Sequence, residues 1–543
     1  MHVEGILLFS LAATVAIVAV RWIAEKSGLP AAALLTVVGI LYALLPGPNV
    51  RLDPNLTLTF VIPPLLYSAA LDSSLIDIRR NLRTVISLSV ALVLATAMLI
   101  GVVFSLWVTG ATLAVGVALG AAVAPPDPVA ALAVGRRVGL PNKLVTLIQG
   151  EGLLNDATAL TLLSVAVAAA GGHAFSFPTA VGQFVIAAAG GVVVGVTVAY
   201  VIRLLRRLRA DPLISNAISL ATPFAAYLLG ETAHVSGVLA VVVAGLIVGH
   251  DAPRMVTGAS RLQTSAVWRL VDFLLEGLVF LLIGQQLRGV VEGLVEYRPS
   301  TIIIAVSITV GVVLLLRPLW LVLTQLLPKS LHTRLGGDLD PDQVIRREQS
   351  LGGREVTALS WAGTRGVISL AAIFTLPPTF ADRDLLLFCT FVVVLVTLVG
   401  QGLTFAPLVR RLGLKANEAD AVRVRNEARS ASVKAALDRL DEIQEERHDH
   451  VEDHAIENTR RQLDHRLERY RRRLDLLDKS DSDQVPQSPQ YEAALQVRRA
   501  VIDAQRDELL RWRDAGRLPD EGLRVLEREL DHEERLLPDR PGG

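Results

Sequence analysis

Long apolar stretches separated by short polar connections run from the N-terminus to about residue 409. A helix of about 18 or more apolar residues matches the thickness of a bilayer's hydrocarbon layer. The pattern therefore predicts about thirteen membrane helices. Their approximate limits are 3–21, 29–46, 54–71, 84–109, 111–135, 144–170, 180–203, 211–230, 233–250, 266–287, 300–325, 355–376 and 385–409.

Helix breakers interrupt three of these segments. The third contains Pro63-Pro64, the fifth Pro125-Pro126-Asp127-Pro128, and the twelfth Gly363-Thr364-Arg365-Gly366. Because proline lacks a backbone N–H and crowds the preceding turn, the fifth helix is expected to unwind within the membrane. Interrupted spans in matching positions indicate a transport site between inverted repeats. Segments one to six and eight to thirteen would form those repeats.

The composition changes abruptly after Arg410-Arg411. From about Asn417 onward the chain is dense in Glu, Asp and Arg, with alanine and leucine at helical spacing. We therefore predict a transmembrane domain at residues 1–412 and a cytoplasmic helical tail at 413–543, with a regulatory or dimerisation role. Ser480 to Pro489 reads as a linker between two helical parts of the tail.

Overall composition supports an all-α polytopic membrane protein. The 543 residues are 52% hydrophobic and have a mean hydropathy of +0.47, which is far from a soluble domain. With 53 basic and 53 acidic residues, the chain has no net charge that would favour nucleic acid. The single cysteine, Cys389, excludes an intramolecular disulfide.

The basic residues of the loops predict the orientation, because cytoplasmic loops are enriched in Lys and Arg. Loops after odd segments carry most of them, whereas loops after even segments carry little beyond Arg51, Arg288, Arg298 and Arg383. The N-terminus is therefore expected outside and the tail inside, in a multi-pass membrane protein. The odd-loop residues are Arg21, Lys26, Arg79, Arg80, Arg83, Arg136, Arg137, Lys143, Arg203, Arg206, Arg207, Arg209, Arg254, Arg261, Lys329, Arg334, Arg346 and Arg347.

The sixth segment carries the most costly polar residues. Glu151, Asn155 and Asp156 lie in an otherwise apolar run, and a carboxylate in the hydrocarbon layer usually faces a cavity or a partner. On a helix Glu151 and Asp156 are about 140° apart, so they meet different surroundings. We expect Asp156 to line an ion pathway and Glu151 to pair with a fixed cation. The alternative places both carboxylates at a helix end among lipid headgroups.

Each broken helix adds one charged residue. Asp127 follows the prolines, where its side chain either caps the restarting helix or contacts a cation. Arg365, flanked by glycines, needs a carboxylate or carbonyl partner. Glu151 is the candidate partner, although Arg365 can instead neutralise the carbonyl ends of a broken helix.

Other polar residues have simpler interpretations. Asp272 and Glu276 lie one turn apart near the start of the tenth segment, which favours an interfacial position over a second ion site. Arg317 is expected to extend towards the cytoplasmic surface. In the tail, His448, His450 and His454 fit a solvated helix face better than a metal site or pH sensor.

Five motifs, in order across residues 5–412, closely resemble the monovalent cation/proton antiporter-1 family, the bacterial sodium/proton antiporters related to eukaryotic sodium/proton exchangers. They are Pro63-Pro64-Leu65-Leu66-Tyr67, Pro126-Asp127-Pro128, Glu151-Gly152-Leu153-Leu154-Asn155-Asp156, Leu278-Val279-Phe280-Leu281-Leu282-Ile283-Gly284 and Gly363-Thr364-Arg365-Gly366. The resemblance implies an inverted-repeat fold with crossed, broken helices, a homodimer in the lipid bilayer of the bacterial cytoplasmic membrane, and an elevator motion. It also implies electroneutral exchange of Na⁺, or Li⁺, for H⁺, with no cofactor and no metal beyond the transported cation.

The resemblance also assigns site residues. Asp156 matches the family's ion- and proton-carrying aspartate, Asn155 its neutral partner, and Asp127 the aspartate at the unwound helix. Glu151 and Arg365 match a buried ion pair.

Three positions depart from the family pattern. Many relatives have glutamate at Ser68, serine at Gly152 and threonine at Pro126, so the cation shell here is expected to differ. The Pro126 carbonyl, water or Asp72 would complete it, with a minor contribution from Ser68.

Two alternatives remain at this stage. A K⁺/H⁺ antiporter of the same fold would use similar oxygen ligands in a cavity of different size. An intramembrane aspartic protease would need two aspartates that share one proton and face one water. The Pro-rich setting of Asp127 and the Asn before Asp156 do not match such a site.

Overall fold

The computed structural model describes residues 3–45, 56–171, 177–208, 211–326, 351–416, 418–446, 450–478, 489–515 and 517–535. The tail linker predicted at Ser480 to Pro489 lies outside these ranges except for its last residue, as do His448 and the loop residues Arg51, Lys329, Arg334, Arg346 and Arg347. The chain divides into two compact units, Met1–Ala416 and Asn417–Gly543.

The regular structure described in the first unit is helical throughout. In chain order the helices are α1 (Val3–Ser27), α2 (Ala31–Ala43), α3 (Thr57–Leu71), α4 (Leu75–Arg80), α5 (Leu82–Trp107), α6 (Leu113–Val123), α7 (Pro128–Arg137), α8 (Asn142–Ala170), α9 (Phe177–Leu208), α10 (Pro212–Thr232), α11 (Gly237–Met255), α12 (Gly258–Gln285), α13 (Leu287–Glu292), α14 (Pro299–Leu326), α15 (Gly353–Trp361), α16 (Val367–Phe374) and α17 (Arg383–Leu412).

The predicted segments coincide with these helices, the fifth with the pair α6 and α7 and the twelfth with α15 and α16. Within the described ranges, nine helices are long and apolar enough to cross a membrane, with α6 and α7 taken as one. α2 and α3 are shorter, and α12 carries several charges in its central part. The all-α membrane fold is confirmed, whereas the number of crossings stays a prediction.

The expected break at Pro63-Pro64 is wrong. α3 is helical through both prolines, and its first five residues, Thr57–Val61, form wide π turns directly before them. A π turn shifts the hydrogen-bonding register, so it accommodates residues that lack an N–H. Both prolines then occupy the first turn of the following α-helical part, where proline is tolerated.

The other two breaks form where the sequence predicts them. α6 ends at Val123 and α7 begins at Pro128, while α15 ends at Trp361 and α16 begins at Val367. The four half-helices are short, and α6 and α16 are largely buried and pack against each other. Apolar residues of α5, α6, α16 and α17 form the main core around them.

Glycines allow close backbone approach at two other contacts. A Cβ at Gly39 of α2 would meet the backbone of α12 at Leu281 and Gly284. Likewise, Cβ atoms at Gly245 and Gly249 of α11 would meet the backbone of α3. α3 and α12 are therefore held tightly by neighbouring helices.

The second unit consists of helices α18 (Glu418–Glu446), α19 (His450–Asp478), α20 (Pro489–Asp514) and α21 (Asp520–Arg535). α18 packs against α19 and α20 against α21. Ion pairs link the members of each hairpin, Arg460 with Asp441 at 2.5 Å and Arg506 with Asp531 at 2.5 Å. Few apolar side chains are buried among the described residues of this unit.

Candidate functional site

Asp127 lies in extended conformation directly before α7. Its carboxylate accepts a hydrogen bond from the Val129 N–H at 2.9 Å, which is the capping role predicted for it. The N–H of Val367, the first residue of α16, also approaches the same carboxylate. Asp127 thus serves the N-terminal ends of both restarting half-helices, where partial positive charge accumulates.

The two breaks bond directly to each other. The Asp127 N–H donates to the Thr364 carbonyl oxygen at 2.6 Å, and the Thr364 hydroxyl donates to the Asp127 carbonyl oxygen at 2.8 Å. A Cβ at Gly366 would overlap the Asp127 carboxylate. Glycine at this position is therefore required for the close approach of the two chains, and Thr364 is a bridging residue that the sequence pattern did not single out.

Arg365 serves the opposite ends of the half-helices. It is 2% exposed, and its Nε donates to the Val123 carbonyl oxygen at 2.7 Å, at the end of α6. Its Nη1 donates to the Gly363 carbonyl oxygen at 2.9 Å, just beyond α15. The guanidinium therefore offsets the negative carbonyl ends of both broken helices, which was the second role predicted for it.

The prediction that Arg365 is the ion-pair partner of Glu151 is wrong. Arg317 of α14 forms a bidentate pair with Glu151, with Nη2 at 2.8 Å from Oε2 and Nη1 bonded to Oε1. Glu151 is 1% exposed and Arg317 4% exposed, so Arg317 does not extend to the surface as expected. The carbonyls at the two breaks already occupy Arg365, which leaves Glu151 to the neighbouring guanidinium.

A sequence signal for Arg317 does exist. It lies between two and three helical turns from the end of α14, in a strongly apolar helix. An arginine at that depth needs a partner, as Arg365 does. A Cβ at Gly363 would meet the Arg317 side chain and come within 3.4 Å of Arg365, so both guanidinium groups lie close to this glycine.

Asp156 and Asn155 lie on α8 beside the point where the two helix breaks hydrogen-bond to each other, which we call the crossing. Both are buried, at 3% and 0% exposure. The Asn155 Nδ2 donates to the Pro126 carbonyl oxygen at 2.8 Å, while its Oδ1 is buried and finds no hydrogen-bond partner in the described part of the chain. The Asp156 carboxylate accepts no hydrogen bond from the residues that the structure describes, and it lies near enough to Asp127 for their charges to repel.

This arrangement can bind a small cation or a proton. An unpaired buried carboxylate is costly unless it is neutralised. Carboxylate, carbonyl and amide oxygens are available at Asp156, Pro126 and Asn155, and a carbonyl that accepts one hydrogen bond keeps a second lone pair.

Gly152 is one turn before Asp156, and a Cβ there would overlap the Pro128 ring. A serine at Gly152 therefore does not fit without a shift of the α7 start.

Ser68 of α3 is 4% exposed, and its hydroxyl donates to the Asp272 carboxylate of α12 at 2.5 Å. Asp272 and Glu276 lie at mid-helix, because α12 begins at Gly258 with Thr257 as its cap and not near residue 266. The interfacial interpretation of this pair is therefore not supported. The polar first turns of α12 concealed its true start in the hydropathy pattern.

Comparison with known proteins gives consistent results. The sequence profile of the family described as "Sodium/hydrogen exchanger, transmembrane" matches residues 11–411. An uncharacterised Na⁺/H⁺ exchanger of Mycobacterium bovis is 33% identical over 518 residues, covering 93% of this chain and 91% of the relative. The Na⁺/H⁺ antiporter ApNhaP of Aphanothece halophytica is 30% identical over 389 residues, covering 71% of this chain and 70% of the relative.

Among solved structures, the sodium proton antiporter MjNhaP1 of Methanocaldococcus jannaschii at pH 8 has the same fold, with a TM-score of 0.57. It is 19% identical, and the match covers 75% of this chain and 99% of that one. Because the family profile spans most of the membrane unit and the relatives match at 30% identity or more, the chain belongs to the sodium/hydrogen exchanger family of membrane antiporters.

Proposed function

We propose that this chain exchanges Na⁺ for H⁺ with one-to-one stoichiometry through the Asp156 carboxylate. As a member of an exchanger family it is a transporter and not an enzyme, which removes the aspartic-protease alternative. The observation that carries the proposal is the state of Asp156. It is a buried carboxylate without a hydrogen-bond donor among the described residues, beside two hydrogen-bonded helix breaks.

Competition for one carboxylate explains the coupling. A proton or a Na⁺ neutralises Asp156, and the occupied site can then move past the apolar barrier, whereas the empty charged site cannot. Asn155 carries no charge to exchange. The Glu151–Arg317 pair is neutral as a unit and buried, so it stays unchanged through the cycle. One carboxylate that alternates between two monovalent ions gives electroneutral exchange.

The cation shell that we propose consists of Asp156, the Pro126 carbonyl and the amide oxygen of Asn155. The unpartnered Oδ1 of Asn155 supports its inclusion, since a buried acceptor without a donor can take a cation instead. Asp127 contributes charge near the site, but its carboxylate already caps the half-helices. Ser68, bonded to Asp272, is assigned no direct contact with the cation at Asp156.

For the motion, we propose an elevator mechanism in a homodimer of the cytoplasmic membrane. The hydrogen bonds among Asp127, Thr364, Arg365 and Val123 tie the two broken helices into one body. A body with such internal bonds can carry Asp156 across the barrier without breaking them. This supports rigid displacement over local unwinding.

Replacement of the carrier carboxylate tests the proposal. We expect Asp156→Asn to abolish Na⁺-induced dequenching of a pH dye in everted vesicles, because the amide neither releases a proton nor neutralises Na⁺. Asp384→Asn, at a half-exposed carboxylate that pairs with its neighbour Arg383, serves as the matched control and should retain activity. Normal transport by folded Asp156→Asn would contradict the assignment.

Transport assays with purified protein in proteoliposomes then test which cations are exchanged and whether the exchange moves net charge. Na⁺, Li⁺ and K⁺ are titrated separately, and a response to K⁺ alone would replace the Na⁺ assignment by K⁺. On a solid-supported membrane, a Na⁺ concentration jump should drive proton movement without a steady transport current. A sustained current whose size follows the transport rate would contradict the one-to-one stoichiometry.

A further inference from the structure

A second carboxylate lies outside the crossing, in the middle of α12. The Asp272 Oδ2 accepts the 2.5 Å hydrogen bond from the hydroxyl of Ser68, which is almost fully buried on α3. The two residues are 204 positions apart in sequence, so their contact is a product of the fold. A serine hydroxyl that donates to a carboxylate fixes its orientation and keeps its other oxygen free.

That other oxygen, Oδ1 of Asp272, is buried and has no hydrogen-bond partner among the residues that the structure describes. An unsatisfied carboxylate oxygen out of contact with water carries a desolvation penalty. Asp272 forms no ion pair with an Arg or Lys of the described chain, unlike Glu151 with its bidentate partner. A bound cation or a proton would neutralise this carboxylate and satisfy the oxygen.

The charges around Asp272 continue towards the transport site. Asp72, at the end of α3, is close enough to interact with Asp272. Glu276, one turn further along α12, interacts with Asp272 and also with Asp127 at the crossing. A series of carboxylates thus leads from the end of α3 to the crossing beside Asp156. The basic residues in reach of Glu276 are Arg21 and Arg136.

The helices that carry this pair are held in place independently of it. The backbone of α12 packs against α2 through Gly39 and Gly284, and that of α3 packs against α11 through Gly245 and Gly249. α3 and α12 also pack directly against each other, so helix packing and not this hydrogen bond alone sets the distance between Ser68 and Asp272. Side-chain substitutions at the pair should leave the backbone geometry largely unchanged.

We propose that Asp272, oriented by Ser68, is a further cation-contacting residue that binds a monovalent cation on its way to Asp156. The inference rests on the proposed Na⁺/H⁺ exchange and adds a second contact to its route. Asp272 contributes ground-state binding of the cation and not the exchange step itself. Its removal should therefore act on the KM for Na⁺ more than on the maximal rate.

The test uses full-length protein in proteoliposomes, with Na⁺ titrated at fixed pH. We expect Asp272→Asn to raise the KM for Na⁺ about tenfold or more, as for loss of a charged contact, with the maximal rate within about threefold of wild type. The exchanged pair, Ser68→Asp with Asp272→Ser, keeps the carboxylate on the other side of the same hydrogen bond and should restore most of the affinity. Asp251→Asn, at the surface pair with Arg203, is the control.

An unchanged KM in folded Asp272→Asn would overturn the inference. If that variant does not fold, Asp272→Ser with Ser68 unchanged is compared with the exchanged pair. A KM raised about tenfold in Asp272→Ser and near normal in the exchanged pair supports the inference, whereas a near-normal KM in folded Asp272→Ser overturns it. These outcomes can be distinguished from a failure of the proposed function. If the proposed Na⁺/H⁺ exchange were wrong, wild-type protein itself would give no Na⁺-dependent proton movement.

Discussion

At the scale of single residues, the buried charges divide into two classes. Glu151 and Arg317 satisfy each other, and Arg365 is satisfied by backbone carbonyls. Within the described ranges, Asp156 has no such partner. A charge that the protein neutralises itself is structural, whereas a charge left without a partner is available to an ion. The hydrogen-bond pattern therefore separates scaffold from carrier.

The Glu151–Arg317 pair gives a stability prediction. Glu151→Gln or Arg317→Met alone leaves a buried charge unpaired, which costs about 3–5 kcal/mol. The double replacement Glu151→Leu with Arg317→Met removes both charges and should recover much of the loss, because the desolvation cost disappears with them. Melting temperatures of purified variants in detergent measure this.

The exposed pair of Arg288 and Glu292 supplies the control for that comparison. Its side chains are 58% and 65% exposed, so neutralisation should change stability by less than about 1 kcal/mol. A double Glu151 and Arg317 variant that is no more stable than either single variant would show that the pair is not an isolated unit.

At the scale of helices, the crossing depends on the absence of a side chain at one position. The Asp127 carboxylate occupies the space where a Cβ at Gly366 would lie. Gly366→Ala should therefore displace the cap of α7 and α16 and destabilise the protein by about 1–3 kcal/mol, as overpacking does. Transport should fall with it, because the displaced cap lies beside Asp156.

Gly311 provides the matched control, since it lies within α14 and a Cβ there meets nothing within 4 Å. Gly311→Ala should be neutral or stabilising by about 0.5–1 kcal/mol, as expected for alanine in a helix. Equal melting temperatures for Gly366→Ala and wild type would show that the crossing tolerates a rearranged Asp127.

At the scale of the whole molecule, the distribution of basic loop residues predicts an external N-terminus and a cytoplasmic tail. An alkaline phosphatase reporter fused after residue 415 should be inactive, because the enzyme folds only outside the cytoplasm, and a green fluorescent protein at the same point should be fluorescent. Strong phosphatase activity there would show that every helix has the orientation opposite to the predicted one. A fusion after residue 297, in a loop predicted to be external, should give the opposite result.

Much of the fold follows from local patterns. Apolar length determined the positions of the helices, and the proline and glycine motifs determined the two breaks, because a missing N–H or Cβ acts on its own turn. The same local reading failed at Pro63-Pro64, where π turns absorb the prolines, and at the start of α12, which is too polar for a hydropathy window.

The sequence by itself identified Glu151, Asp156 and Arg365 as buried charges, because each lies deep in an apolar run where a charge is costly. The same argument missed the burial of Arg317 and the mid-helix position of Asp272. Only the tertiary structure decided how they pair. Glu151 meets Arg317 across 166 positions and Ser68 meets Asp272 across 204. Contacts of this kind depend on which helix faces pack together, and a single helix does not encode its neighbour's depth or rotation.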